Sequence, residues 1–289
     1  MSDPPAARSA DPAGVWPIPV VVRHDNGSFS LVSDTGIRPI AMPRGDWWLA
    51  GSAPSAGVLL LPVDVAAVDA ALVTVAEDGT TSLARAIGNG SRVAGAGCVS
   101  PAADVALAGL DDLALEVVDR DGERRPIHFD GHRPLGECAW LGPDALVTPA
   151  HDRSLLYFHR AGGQGEQEVH AATFPGVRGR YPAAGGGRLA MTTGDADDEA
   201  VTLWQVGPIE RDSATPPTLD PIDAFQSGDG PRRGEHAVSA DGTLLAVAGS
   251  RGGRPALWLY DLQEGSPSGT AIALPRLADR IVFLAPPDP

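Results

Sequence analysis

The feature that most constrains the fold is a unit of four short apolar runs that recurs along the chain. The clearest unit begins in residues 131–160, where a Gly-Pro-Asp turn precedes a short run, Leu146–Thr148, and a polar hairpin leads to a second, Leu155–Phe158. Short apolar runs bounded by turn residues indicate β-strands rather than helices. Five other stretches follow the same order. In each of the six units, the third apolar run ends near one of these residues: Val32, Val75, Val118, Phe158, Trp204 and Tyr260. The spacings between these ends are 43, 43, 40, 46 and 56 residues.

Repeats of this length with four strands each are typical of β-propeller blades. We therefore predict an all-β, six-bladed β-propeller of four-stranded antiparallel blades. Residues 280–289 read as a lone first strand, whereas the pattern begins near Trp16 with what reads as a second strand. Residues 280–289 should then supply the inner strand, and residues 18–42 the outer three strands, of one composite blade. This pairing closes the ring and removes exposed sheet edges. Seven blades are the alternative if the natural chain extends past residue 289.

The domain organisation follows from composition. Residues 1–14 are small, polar and rich in Pro, so they cannot bury enough apolar surface to fold. We predict that they form a disordered N-terminal tail and that residues 15–289 form a single propeller domain.

The repeated unit resembles the blade of a WD-repeat β-propeller. Gly131-His132 matches the Gly-His pair of that family. Ser239-Ala240-Asp241-Gly242 and Gly142-Pro143-Asp144 match its Ser-Pro-Asp-Gly turn, and Tyr260-Asp261 lies where the family has Trp-Asp. The resemblance covers about residues 16–289, and it is degenerate because no unit has an intact Trp-Asp pair.

The resemblance also implies a structural role for polar residues of the fourth unit. His132, Thr148 and Asp152 fall where the family places a hydrogen-bond network, with Phe158 in place of its Trp. Buried polar groups normally need such partners. His151, Asp152 and Ser154 are too close in sequence to converge as a catalytic triad, so we predict no catalytic residue among them. We also predict no metal site and no cofactor.

The acidic charge balance argues against some partners. The chain carries a net charge of −15, from 22 basic and 37 acidic residues, and all 22 basic residues are Arg. Nucleic acids and anionic membrane surfaces are bound by clustered cations, so we expect neither as a partner. We see no signal-peptide pattern and no apolar run near the ~20 residues of a membrane helix. We therefore expect a cytoplasmic protein.

The two cysteines, Cys98 and Cys138, are too few for a disulfide framework. They lie on the first strands of adjacent units, at repeat positions two apart, so they should face the same side of the pleat. We expect both to be buried free thiols that behave as small apolar groups, as in a reducing compartment.

Arginine is concentrated where one unit passes to the next. In a propeller of this kind, the connections from each fourth strand to the next first strand lie on one face, around the channel mouth. We call these connections the rim; they are residues 43–47, 88–93, 130–134, 175–181, 226–234 and 275–280. The rim holds nine of the 22 Arg in 38 of the 289 residues, about three times an even spread; they are Arg44, Arg92, Arg133, Arg178, Arg180, Arg232, Arg233, Arg276 and Arg280.

Arginine together with aromatic residues is the composition of a binding hot spot. We predict a partner-binding surface made by Trp47, Trp48, Arg92, Arg133, Arg178, Arg180, Tyr181, Arg232, Arg233 and Arg280. Acidic residues near the rim leave a second interpretation open, in which salt bridges neutralise it and the rim is an ordinary solvated surface.

These observations favour a non-enzymatic interaction scaffold that binds acidic segments of protein partners at the rim. One alternative is a propeller enzyme that acts on a small anionic or sugar-like substrate at the channel mouth. Its candidate groups are Asp46, Glu137, Glu235, His236 and Asp279. The other alternative is a structural subunit of a larger assembly, since a propeller hosts each of these functions.

Overall fold

The computed structural model describes residues 18–55, 57–63, 69–87, 93–109, 114–129, 132–135, 137–160, 169–194, 200–210, 215–225, 236–263 and 269–285. These residues form 24 strands in six four-stranded antiparallel sheets, and no helix occurs among them. The predicted disordered tail, residues 1–14, lies outside the described residues, so that domain boundary stays a prediction.

Each sheet is one blade, with its innermost strand named first below. Blade 1 contains β24 (Ala278–Phe283), β1 (Val20–His24), β2 (Phe29–Ser33) and β3 (Gly36–Pro39). Blade 2 contains β4 (Trp47–Ala53), β5 (Gly57–Pro62), β6 (Ala71–Val75) and β7 (Thr81–Ala86). Blade 3 contains β8 (Val93–Val99), β9 (Val105–Gly109), β10 (Ala114–Val118) and β11 (Arg124–His128).

The remaining blades follow the same order. Blade 4 contains β12 (Ala139–Trp140), β13 (Ala145–Pro149), β14 (Ser154–Arg160) and β15 (Val169–Arg178). Blade 5 contains β16 (Arg180–Gly185), β17 (Arg188–Thr193), β18 (Ala200–Val206) and β19 (Leu219–Phe225). Blade 6 contains β20 (His236–Val238), β21 (Leu244–Arg251), β22 (Arg254–Asp261) and β23 (Gly269–Ala273). The predicted fold of six four-stranded blades is confirmed.

The ring closes through blade 1, as predicted. Strand β24 pairs antiparallel with β1, with Val20 opposite Phe283 and Val22 opposite Ile281.

The strands of this blade connect by tight turns, of which residues 24–27 are an example. Gly27 has a φ of 80°, which glycine adopts without strain, and its amide donates to the carbonyl of His24 at 2.9 Å.

The core consists of six apolar clusters, each between two neighbouring blades. Strand β1 shows why the sequence produces this arrangement. Val20 and Val22 pack toward blade 6, whereas Val21 packs toward blade 2. Successive side chains of a strand point to opposite faces, so a blade between two others needs apolar residues on both faces. The outermost strand β7 is half-buried or exposed along its length because it lies at the periphery.

The expectation of two free thiols is corrected by the structure. Cys98 and Cys138 form a disulfide between blades 3 and 4, with their Cα atoms 5.6 Å apart. This Cα distance lies within the range that a disulfide requires. The prediction that both residues face the same side of the pleat left out a further consequence of the fold. The inner strands of neighbouring blades lie side by side around the channel, so residues on the same face can come within bonding distance although their repeat positions are two apart.

The described part of the chain contains no helix long and apolar enough to cross a membrane. Its His, Cys, Asp and Glu side chains also form no group of three that could hold a metal ion.

Candidate functional site

The rim lies where the innermost strands begin, because each rim connection leads from an outermost strand into the next innermost one. The structure describes rim residues 43–47, 93, 132–134, 175–181 and 275–280. Three of the predicted binding residues, Arg92, Arg232 and Arg233, lie outside the described residues, as does Glu235.

Four rim arginines are exposed, and we call them the outer arginines: Arg44, Arg133, Arg178 and Arg276. Within the described residues, their guanidinium groups form no ion pair. The backbone around them is well ordered by hydrogen bonds. The carbonyl of Arg133 accepts the amide of His151 at 3.0 Å, which joins the rim to the neighbouring hairpin of the same blade. The outer arginines are therefore held on a fixed backbone with their charges toward solvent.

A fifth arginine, Arg23, organises the part of the rim that contains the tryptophans. Its side chain is buried, and its Nε donates to the carbonyl of Trp47 at 2.6 Å. Its guanidinium group pairs with Asp279 and lies 3.9 Å from Asp46. The same group lies 4.2 Å from the ring centroid of Trp48, in a cation–π contact. Sequence reasoning missed Arg23 because it precedes a hairpin within blade 1 and lies in no rim connection.

The two predicted tryptophan anchors have different environments. Trp47 is 3% exposed, packs in the cluster between blades 1 and 2, and donates its Nε1 to the carbonyl of Pro43 at 3.0 Å. Trp48 is 38% exposed. The alternation of side chains along β4 places one ring inside and the next outside. The structure thus corrects the prediction for Trp47, which is a core residue, and leaves Trp48 available to a partner.

Five residues from four blades lie at the channel mouth, three of them at the inner ends of rim connections, and we call them the collar: Glu137, Arg180, Tyr181, His236 and Arg280. One carboxylate oxygen of Glu137 accepts the amide of Tyr181 at 3.0 Å, which links blades 4 and 5. Burial raises the pKa of Glu137, although the Tyr181 amide and the charges of Arg280 and Arg180 oppose the rise. The Nε of Arg180 is buried and has no hydrogen-bond partner among the described residues.

Arg280 and His236 have the most strongly buried charge-bearing groups of the collar. Burial lowers the pKa of Arg280, and the carboxylate of Glu137 opposes this change, so the guanidinium group stays protonated at neutral pH. Burial, and to a smaller extent the charge of Arg280, lowers the pKa of His236 to about 4. The imidazole of His236 is therefore neutral at pH 7, and Arg280 keeps its charge.

A cavity of about 380 Å³ occupies the channel, and Tyr181, His236 and Arg280 of the collar form part of its wall. All six blades line it, through residues 50–54, 98–101, 138–142, 181–186, 236–238, 240, 280–283 and 285. Most of the lining is apolar, and the Cys98–Cys138 disulfide forms part of the wall.

The predicted hydrogen-bond network of blade 4 is distributed over separate contacts. Asp152 is exposed, and its Oδ1 accepts the hydroxyl of Ser154 at 2.6 Å and its amide at 3.0 Å. The Thr148 hydroxyl is buried and lies 3.5 Å from the carbonyl of Pro149. The Ser154 contacts are the main cause of a lowered pKa of Asp152, and His132 adds a smaller charge effect. Asp152 thus holds the hairpin turn, whereas a bond from His132 to the other two residues stays a prediction.

Comparisons with known proteins show the fold. No family model matches the chain, and no curated protein matches it in sequence. Among solved structures, TolB from Acinetobacter baumannii is similar at 11% identity and a TM-score of 0.61, over 93% of this chain and 66% of the TolB chain. This chain therefore spans just under two thirds of the TolB chain that it matches.

Two further structures have comparable similarity. A putative 6-phosphogluconolactonase from Bacteroides uniformis is 14% identical, with a TM-score of 0.55 over 91% of this chain and 84% of that one. The WD40 β-propeller domain of Doa1 is 13% identical, with a TM-score of 0.53 over 91% of this chain and 81% of that one. At these identities, the three similarities show that the chain has a β-propeller fold, which these different proteins share.

Proposed function

We propose that this protein is a non-enzymatic interaction scaffold whose rim binds an acidic segment of a protein partner. The observation that carries the proposal is the set of four outer arginines, which are exposed and form no ion pair within the described residues. Several arginines outside the rim have clear structural partners. Arg124 pairs with Glu116 at 2.6 Å, and Arg188 donates to two backbone carbonyls of blade 6.

The charge of the whole chain strengthens the contrast. A net charge of −15 repels an acidic partner over most of the surface. Cations without internal partners on one face can offset this repulsion locally and orient the partner as it approaches. Guanidinium groups bind carboxylates with two parallel hydrogen bonds, and the exposed face of Trp48 adds an apolar contact beside them.

The spacing of the cations favours an extended partner. The outer arginines come from four different connections around the rim. Arg44 joins blades 1 and 2, Arg133 blades 3 and 4, Arg178 blades 4 and 5, and Arg276 blades 6 and 1. One exposed ion pair contributes only ~0–1 kcal/mol. A single carboxylate would thus bind weakly, whereas a segment with several carboxylates can engage more than one arginine.

The test uses a defined probe, a short fluorescein-labelled peptide that alternates Glu and Ser, with a Gln–Ser peptide as its neutral control. Fluorescence anisotropy should show saturable binding of the Glu peptide that weakens with salt. The double variant Arg133→Gln/Arg178→Gln should raise the Kd about fivefold, on the basis of about 0.5 kcal/mol for each lost pair.

The matched control is Arg38→Gln/Arg120→Gln, which removes the same charge from exposed positions that do not belong to the rim. It should change the Kd by less than twofold. Equal weakening by the two double variants would show that only net charge matters, and the absence of saturable binding would refute the proposal directly.

A second candidate function is a propeller enzyme, and the collar favours it. Glu137 has a raised pKa and lies near Arg280, which also affects His236. A carboxyl group with a raised pKa in a cleft can serve as a general acid or base. Two other acidic candidates are already engaged, since Asp279 and Asp46 lie next to Arg23. The enzyme candidate therefore depends on Glu137, and Glu137→Gln should abolish any turnover found in a screen of small anionic substrates.

The structural-subunit alternative has weaker support. On the described parts of the outermost strands, the exposed large apolar residues are Leu83 of blade 2, at 63%, and Ile222 of blade 5, at 49%. They belong to blades that are not neighbours, and isolated exposed apolar residues are normal on monomeric proteins.

A further inference from the structure

We propose that the channel cavity is a second binding site, which takes a small organic monocarboxylate with an apolar body. This site lies below the rim and does not depend on the function proposed for the outer arginines. Its volume of about 380 Å³ falls within the range of small-molecule sites. A channel cavity of this size is too small for a folded partner but admits a small acid.

The lining determines the chemical class of the ligand. Its ionisable side chains are those of Tyr181, His236 and Arg280. The imidazole is neutral at pH 7, and a tyrosine hydroxyl is neutral there as well. Arg280 therefore contributes the one formal charge of the described cavity wall. Apolar walls with one guanidinium group suit a ligand that has a single negative group and an apolar remainder.

His236 provides a second, independent observation. The residue is 4% exposed, and neither ring nitrogen has a hydrogen-bond partner among the described residues. The carbonyls of Ala190 and Tyr181 lie near the ring and favour its protonation slightly, but they do not reach the nitrogens in hydrogen-bonding geometry. A buried polar group that lacks a partner is costly. A ligand carboxylate can accept the imidazole N–H and so remove part of this cost.

His236 at the start of β20 and Arg280 in β24 line the same cavity from the neighbouring innermost strands of blades 6 and 1. A carboxylate held by Arg280 can therefore also accept from His236. Arg280 supplies the charge and His236 fixes the orientation of the acid group.

Glu137 limits the charge of the ligand. It lies near enough to Arg280 to affect its pKa, and its carboxylate is fixed by the amide of Tyr181. Part of the positive charge of Arg280 is thus already balanced at the collar. A dianion would bring a second negative charge close to Glu137 without a second cation from the described wall, so a monoanion should bind in preference.

The experiment measures binding by isothermal titration calorimetry with three probes. They are 3-phenylpropionate, its uncharged amide and the dianion phenylmalonate. The monoanion should bind one per protein molecule, and both other probes should bind at least about tenfold more weakly, which is the usual loss for a charge-assisted hydrogen bond. Equal binding of the acid and the amide would refute the role of Arg280, and tighter binding of the dianion would refute the assigned charge.

Variants separate the cavity from the rim. Ser52 lines the cavity in blade 2, away from the collar, so Ser52→Phe should fill the space and abolish binding. Arg280→Gln should weaken 3-phenylpropionate at least about tenfold. If this variant fails to fold, Ser52→Phe and the comparison of acid with amide still decide the matter.

The rim variant Arg133→Gln/Arg178→Gln should bind 3-phenylpropionate as the wild type does. Its loss of peptide binding with full retention of acid binding would support both proposals independently. Unchanged binding of the acid by Ser52→Phe, or no saturable binding of it by the wild type, would overturn the cavity proposal and leave the rim proposal unaffected.

Discussion

The disulfide between Cys98 and Cys138 leads to a quantitative prediction about stability. We expect the double variant Cys98→Ala/Cys138→Ala to unfold at a clearly lower denaturant concentration than the oxidised wild type. Alanine is the suitable replacement, because both sulfur atoms lie in a mainly apolar core where a serine hydroxyl would lack partners.

The expected magnitude follows from the length of the closed loop. The two cysteines are 40 residues apart in sequence. A cross-link over a loop of this length restricts the unfolded chain by about 4 kcal/mol in the chain-entropy model. Net stabilities of folded domains are about 5–15 kcal/mol. The loss should therefore be a large part of the total free energy of unfolding.

The assay compares guanidinium unfolding of both proteins with and without a phosphine reductant, after equilibration with oxidised glutathione. The reductant should lower the midpoint of the wild type toward that of the double variant and leave the double variant unchanged. In parallel, mass spectrometry should find no alkylated cysteine when the oxidised wild type is denatured without reductant.

Two results would refute this reasoning. One is alkylation of both cysteines after oxidative equilibration, which would show that the bond does not form. The other is a wild-type midpoint that does not respond to the reductant although the bond is present. Either outcome would return Cys98 and Cys138 to the role of buried apolar residues.

Because disulfides are rare in reducing compartments, the cysteines no longer support the expectation of a cytoplasmic protein, which stays a prediction.

Three further predictions concern stability in urea unfolding. The imidazole of His236 binds a proton more tightly in the unfolded state than in the folded state, so the free energy of unfolding should rise with pH between about 4 and 6.5. From pH 7 to pH 5, the free energy of unfolding of the wild type should fall by about 2 kcal/mol. His236→Gln should not show this fall. Arg23→Met should cost about 3–5 kcal/mol because it leaves a partly buried carboxylate unpaired, whereas Asp46→Asn, at an exposed position, should change stability by less than about 0.5 kcal/mol. Gly185→Ala should destabilise by more than about 2 kcal/mol since its Cβ would overlap a carbonyl of blade 6, whereas Gly142→Ala has room for the added methyl group and should cost little.

The sequence was sufficient to predict the architecture because the propeller repeats one simple pattern. Each blade is specified locally, by the alternation of side chains along its strands and by turn residues at regular intervals. An error in assigning the strands of one unit can therefore be corrected by comparison with the other units. For blade 2, the sequence predicts strands at Trp47–Ala53, Val58–Val63, Leu72–Ala76 and Ser82–Ile87, which agree with β4 to β7 within one residue at each end. The composite blade was predictable for the same reason, since a lone first strand and a missing first strand complement each other.

Predictions that needed distances between blades were less successful. To predict the disulfide, one had to recognise that Cys98 in β8 and Cys138 just before β12 lie close in space although their repeat positions differ by two. Arg23 required the knowledge that the end of β1 lies beside the start of β4, and its role emerges only from the contacts with Trp47 and Trp48. Strand β12 contains only two residues, and the preceding Pro134 forms an isolated bridge with Ala150.

The candidate site, too, could be predicted from the sequence only in part. Sequence counting placed the arginines on one face, but it could not separate the exposed Arg133 from the half-buried Arg280. Arg133 lies in a connection that precedes its inner strand, whereas Arg280 lies within β24. His236 was noticed only as a possible catalytic group, whereas its burial and neutral state make it a ligand-orienting group in our proposal.

The pairing of β24 with β1 also sets the order of events during synthesis. The edge of β1 that β24 covers is made early, and its partner emerges roughly 250 residues later. At about 5–20 residues per second, a ribosome needs roughly 13–50 s to make that stretch. During this time a strand of five buried residues presents an uncovered edge in the cell. The nascent chain therefore has a long interval in which a chaperone, or another nascent copy, can compete with its own last strand.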